Sequence, residues 1–195
     1  MKRLKEIIMI LLAVNLFAAC DVEKGDVIWD ITPIEFNIFI TDSKGHDLLD
    51  STQQNNLIHD ITVSYEGKTY SVMTEREFNE KQYGGAQTRA YMPLFYGLIL
   101  RQRWLAYHQT YESYMLQFGE FDGEENVNHR EITLNLPNQQ PIHLAYKNSF
   151  KWKSNGNPKK RTQFYLNGQE LKDDAGGNGS FHFRYSEAGG LKYTP

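Results

Sequence analysis

The chain has 195 residues, a formal net charge of −3 and a single cysteine, so no disulfide can form within it. Hydrophobic residues make up 40% of it and aromatics 13%, with 12 Tyr and 11 Phe, which favours strands over helices. The length is enough to bury a core without cross-links, and no internal repeat is visible.

Taken in chain order, the first element is a leader. Lys2, Arg3 and Lys5 precede an apolar stretch from Ile7 to Ala19, interrupted only by Asn15, which is the layout of a secretory signal over residues 1–19. Those 13 positions cover ~20 Å as a helix against ~30 Å of membrane hydrocarbon, too short to span comfortably. Phe17-Ala18-Ala19-Cys20 resembles the lipobox of bacterial lipoproteins, with Phe17 where Leu is usual and Leu16 one place early. The resemblance implies cleavage before Cys20 and its acylation with palmitate-type chains. At ~0.8 kcal/mol for each buried methylene, a triacylated Cys20 does not leave the bilayer. The alternative is an ordinary secreted protein cut after Ala19, with a stray thiol.

Cleavage removes Lys2, Arg3, Lys5 and Glu6 and leaves 18 basic against 23 acidic residues, a charge of −5. That argues against nucleic acid or an anionic lipid surface as partner, and leaves attachment to the lipid anchor. Residues 20–26 make a short tether in which Asp21, Glu23 and Asp26 are interrupted by Lys24. It resembles the acidic surface-export signals of Bacteroidota lipoproteins, which implies an outer-membrane location, surface-exposed or periplasmic. Residues 27–195 fit a single domain.

Within that domain Ile34, Phe36, Ile38 and Ile40 alternate with Glu35, Asn37, Phe39 and Thr41, as a half-buried strand requires. Leu57–Tyr65 and Lys68–Met73 flank Glu66-Gly67, where Gly67 supplies the left-handed conformation of a tight hairpin with a bulge. Glu75–Gln87 is polar with a Gly84-Gly85 pair, and reads as a surface connection with room for one short helical turn. Strands resume at Leu94–Leu100. Trp104, Tyr107, His108 and Tyr111 recur at helical spacing between extended flanks, and Arg101–Tyr111 reads as a long aromatic loop. Further strands are Tyr114–Phe121, Arg130–Leu136 and Ile142–Trp152. Ser154–Arg161 reads as a basic loop, Phe164-Tyr165-Leu166 meets the turn dipeptide Asn167-Gly168, and Phe181–Ser186 is the final strand. Seven to nine short strands without a long amphipathic helix predict an all-β antiparallel sandwich of immunoglobulin-like architecture, with a β-barrel as the alternative.

Several segments together resemble uncharacterised lipoproteins of gut Bacteroidota, a family of unknown function. They are Val27–Pro33, Gly45–Asp50, Glu66–Tyr70, Phe118-Gly119-Glu120-Phe121 and Phe164–Gly168. The resemblance covers nearly the whole chain and implies source and fold, but brings no activity or catalytic residue.

Candidate sites are few. His46, His59, His108, His129, His143 and His182 show no zinc spacing, so no metal or cofactor is expected from them. Asp42, Asp47 and Asp50 around Gly45 form an oxygen-rich loop without EF-hand spacing, better read as a solvated turn than as a calcium site. Glu120 and Asp122, two apart on a strand, place both carboxylates on one face; an acid and base pair there also needs a pocket. Nucleophile-elbow and phosphate-cradling motifs are missing, so an enzyme is the weaker class. Tyr91, Phe95, Tyr96, Trp104, Tyr107, Tyr111 and Tyr114 crowd together; about half are expected in the core, while Trp104, Tyr107 and Tyr111 fall in the proposed loop as ligand-binding candidates. Lys159-Lys160-Arg161 is too short for a nucleic-acid footprint and reads as solubilising a hairpin end. Asp50-Ser51-Thr52 matches in form the acceptor pattern of Bacteroidota O-glycosylation, which would place a glycan on Ser51. The expected function is a non-enzymatic cell-envelope module binding glycan or protein. An accessory subunit of an outer-membrane assembly is the alternative, and a hydrolase comes third.

Overall fold

The computed structural model describes residues 30–83, 96–105, 110–171 and 179–194, without the side chains of 83, 103–105 and 110–112. The described strands are β1 (Ile34–Thr41), β2 (Thr62–Tyr65), β3 (Lys68–Thr74), β4 (Leu98–Leu105), β5 (Thr110–Phe121) and β6 (Val127–Asn135), then β7 (Ile142–Trp152), β8 (Pro158–Leu166), β9 (Gln169–Glu170), β10 (Ser180–Ser186) and β11 (Gly190–Tyr193). Among the described residues one helix, α1 (Glu75–Tyr83), lies between β3 and β4. The protein is all-β in the sense expected, but the described strands form one eleven-stranded sheet curled into a half-barrel, in the order β11-β10-β1-β5-β4-β3-β2-β6-β7-β8-β9.

The sheet is mixed where an antiparallel one was expected. β3 pairs β4 in parallel, Val72 with Leu98, and β1 pairs β10 in parallel, Ile38 with Phe181. Parallel neighbours need a crossover, and α1 supplies part of the one between β3 and β4. The start of α1 is written in Thr74-Glu75-Arg76-Glu77. Glu77 N–H donates to Thr74 Oγ1 at 3.2 Å, while Thr74 N–H donates to Glu77 Oε2 at 2.8 Å, a reciprocal capping box. Phe78 docks the helix against Gly97, where a Cβ would lie 2.8 Å from the ring.

Hairpins follow their dipeptides. Glu66 and Gly67 both have positive φ (48° and 72°) and join Tyr65 directly to Lys68, so this is a two-residue turn rather than one with a bulge. Asn167-Gly168 behaves as expected, with φ of 47° and 79°. The predicted basic loop is shorter than its sequence suggests, because β8 already begins at Pro158 and takes Lys159, Lys160 and Arg161 into the sheet.

A bulge that bears on the core lies in β5. Register between β1 and β5 shifts at Ile34/Glu35, and Gly119 (φ 120°) and Glu120 (φ 102°) take left-sided conformations. On a regular strand Phe118 and Phe121 would face opposite ways; the extra residue turns both into the core, where neither is exposed. β5 ends at Phe121, so Asp122 lies beyond the strand and the face proposed for Glu120 and Asp122 is not a strand face.

Rings dominate that core. Phe36 lies within 6.1 Å of Phe121 and Phe164 and within 5.9 Å of Tyr146 and Phe181. Phe164 of β8 thereby touches β1 and β10 across the open side of the half-barrel, 6.0 Å from Phe181. Among the described residues no ladder joins β8 to β10; this seam is closed by rings, by Lys160 Nζ donating to Thr32 O at 2.6 Å, and by Leu191 N–H donating to Gln139 Oε1 at 3.0 Å.

The outward face of β1 is less polar in surroundings than its sequence implies. Asn37 and Phe39 are both buried, and Phe39 stacks on His182 of β10 at 4.5 Å, its register partner.

Candidate functional site

The segment read as a long aromatic loop is a hairpin. Gln102 pairs with Tyr114, Trp104 with Tyr111 and Leu105 with Thr110, while 106–109 lie outside the described residues. Helical spacing of the rings hides two strands, because spacing along the chain carries no record of cross-strand partners. β3 ends its pairing at Leu100 and β1 at Leu116, so beyond these points β4 and β5 pair only with each other among the described residues. They form a two-stranded arm, a unit that is marginal by itself in water. Trp104 and Tyr111 are brought opposite one another on it. Their side chains, and the whole of Tyr107, Tyr91 and Phe95, lie outside the described residues.

The base of the arm is fastened by Asp47. After β1 the chain turns at Asp42–His46 and returns, with Thr41 bridging Asp47 and Leu48 N–H donating to Ile40 O at 2.9 Å. Where β1 has turned away, Tyr114 N–H donates to Asp47 Oδ2 at 2.7 Å, and Leu49 N–H donates to Oδ1 at 2.8 Å. Burial pushes the Asp47 carboxyl up, against these two donors. Arg101, the first arm residue on β4, approaches Glu75 of α1 at 3.9 Å.

Beside α1 runs an open groove of 540 Å³ whose lining includes Lys68, Tyr70, Ser71, Glu77, Lys81 and Tyr96. Tyr70 is held edge-on to Phe118 at 5.1 Å and Tyr96 to Tyr65 at 5.1 Å, so both rings are fixed from below. Glu77 is already engaged in the capping box. A fixed ring flanked by hydroxyls and cations gives a flat apolar surface with hydrogen-bonding edges, which suits the face of a sugar or a polar peptide. The sequence reading placed Tyr96 in the aromatic cluster but missed Tyr70 and Lys81, which converge only through the β3–α1 turn.

An inward-facing cation closes the nearby end of the core. Arg130 shares the core face with Ile132 and Leu134, makes a two-pronged pair with Glu125 at 2.9 and 3.0 Å, and donates to Tyr146 Oη at 3.1 Å. Its guanidinium lies 5.3 Å from the Phe121 ring centre. Burial pushes the Tyr146 hydroxyl up to about 12, against the pull of Arg130, and raises that of Tyr65 further. These phenols stay protonated, and the Tyr146 oxygen accepts from Arg130, so the cluster serves the packing of the core.

The remaining candidates resolve locally. Asp42 Oδ1 accepts the N–H groups of Lys44 and His46, and Asp50 Oδ1 accepts the N–H and hydroxyl of Thr52. The three aspartates thus cap turns, and among the described residues no three His, Cys, Asp or Glu converge as metal ligands. His129 and His143 both approach Glu131, at 3.4 and 2.8 Å. Glu120 lies near Glu35, whose carboxyl is raised by burial against a hydrogen bond from Gln117, with Glu120 raising it further and Arg101 lowering it. Ser51 is exposed in its turn. Cys20, with the segments read as leader and tether, lies outside the described residues. Among the described residues no helix is long and apolar enough to cross a membrane. Comparison with protein-family models, with curated proteins and with solved structures finds no match.

Proposed function

We propose that this protein is a cell-envelope lipoprotein of a gut Bacteroidota type, anchored in the outer membrane through acylated Cys20. It works without catalysis, as a module that takes a glycan or protein partner on the β4–β5 arm. The observation that carries the reading is the arm itself: two strands that carry Trp104 and Tyr111 at opposed positions extend past the pairing of β3 and β1, with a ring-floored groove near their base. A marginal ribbon that carries several rings gains stability by covering them with a partner, as recognition hairpins do.

Two measurements on the full chain test this. Cys20→Ser should leave the membrane fraction and cease to incorporate labelled palmitate; unchanged fractionation refutes the anchor. Trp104→Ala with Tyr107→Ala should abolish binding on a glycan array or to a captured envelope protein with little change in melting temperature. A large drop in melting temperature would make the rings core residues and end the proposal.

A further inference from the structure

Four cations share one exposed face of the sheet. On β7 the outward positions are Lys147, Ser149 and Lys151, and on β8 they are Gln163, Arg161 and Lys159, paired respectively across the ladder. Their even-numbered neighbours Tyr146, Asn148, Phe150 and Phe164 are buried on the other face. Lys147, Lys151, Lys159 and Arg161 are all exposed, and among the described residues none of them makes an ion pair. Lys151 stands directly opposite Lys159, an arrangement that repels across the ladder. The nearest described carboxylates on this face are at its margins and already engaged: Glu131 with His129 and His143, and Glu170 with Gln163.

Edge protection accounts for part of this pattern, since β8 has β9 beside it only at Tyr165 and Leu166 and lysines blunt such an edge. It does not account for Lys147, which lies on a strand hydrogen-bonded to β6 and β8, or for repulsion between Lys151 and Lys159. Sequence alone showed only half of the patch. In Lys159-Lys160-Arg161 the middle side chain turns to the other face, where Lys160 holds Thr32 O, and the outer two join lysines from β7.

We propose that this β7–β8 face is a docking surface for an extended polyanionic polysaccharide, one bearing sulfate or carboxylate groups. Successive outward residues on a strand stand ~7 Å apart and the two strands ~5 Å, so the cations form a narrow strip about 14 Å long. A linear polymer with repeating negative charge follows such a strip. Lys147 Nζ lies 4.9 Å from the Tyr165 ring centre, placing a ring and a cation at one end, while Ser149, between Lys147 and Lys151 on β7, supplies a neutral hydrogen-bonding group. The occupant is narrow rather than planar and extensive, because the chain as a whole is acidic and repels broad anionic surfaces at longer range. This inference does not depend on the β4–β5 arm.

The test uses the full chain in detergent with dextran sulfate and polygalacturonate as probes and neutral dextran as control. Binding to both polyanions and not to dextran is expected, weakening steeply with salt. Lys159→Glu with Arg161→Glu should weaken it about tenfold or more, whereas Lys44→Glu with Lys192→Glu, the same charge change at exposed sites elsewhere, should weaken it less than about twofold. Melting temperature should be retained in the first pair, since a carboxylate at position 159 faces Lys151 and relieves the repulsion. Equal losses in both double variants, equal binding of neutral dextran, or no binding of either polyanion overturns the proposal. Tighter binding of single-stranded DNA or of phosphatidylserine vesicles overturns the choice of occupant.

Discussion

Replacing Asp47 tests how the arm is held. Its carboxylate accepts two backbone N–H groups, from Leu49 and from Tyr114, 67 residues away in sequence. Asp47→Ala leaves both donors without a partner in a half-buried site, at ~1–2 kcal/mol each after discounting for solvent, so about 2–4 kcal/mol in total. Asp47→Asn keeps one acceptor oxygen and presents an amide to the second donor, and should cost about half as much. In a thermal melt the alanine variant should fall by roughly 4–16 °C. Amide hydrogen exchange should locate the damage, with Tyr114 and its arm neighbours losing protection before β6 and β7 do. The sign with pH is also fixed. Burial raises the carboxyl pKa in the folded state, so this group's contribution is fully present below its unfolded value and is lost as pH rises through the folded value, a slope that Asp47→Asn removes. An alanine variant as stable as wild type, or one that loosens β6 and β7 first, refutes the reasoning.

Phe36→Ala removes the ring that meets four others and should cost ~3–5 kcal/mol, read by urea unfolding. Gly179 has φ of 63° and its Cβ position falls against Glu35 O, a backbone atom that cannot swing aside, so Gly179→Ala should cost ~2–4 kcal/mol or prevent folding. Arg130→Met should cost ~1–3 kcal/mol by leaving the Tyr146 hydroxyl without its donor, and adding Tyr146→Phe should restore part of that in a double-mutant cycle. Native mass should exceed the lipidated chain's if the exposed Ser51 carries a glycan; a mass explained by lipid alone removes that suggestion.

Strand existence was largely legible, and its limits have physical reasons. β1 and β7 were read with their observed boundaries, because alternation over eight or more residues is a strong signal. Asn167-Gly168 and Glu66-Gly67 marked turns through the φ values they tolerate. The mixed sheet was not legible: parallel pairing of β1 with β10 joins residues about 140 apart, and nothing local records it. α1 was underestimated although its capping box stands in the sequence, because the polar segment lacks an apolar stripe. The bulge at Gly119-Glu120 was hidden for a similar reason, since alternation assumes a regular period through Phe118 and Phe121. At the candidate site, the ring positions were visible but the ladder opposing Trp104 to Tyr111 was not. Asp47 was noticed as a possible ligand, while its actual task is set by a distant backbone donor.

Closing one wall with side chains instead of main-chain bonds makes that wall compliant. Phe164 and Phe181 can part and re-form contact at the cost of packing and of the two hydrogen bonds made by the Lys160 and Gln139 side chains, with the strand ladders on either side left paired. The molecule is therefore built like a clasp: stiff around most of its circumference, and able to gape along a single line without unravelling.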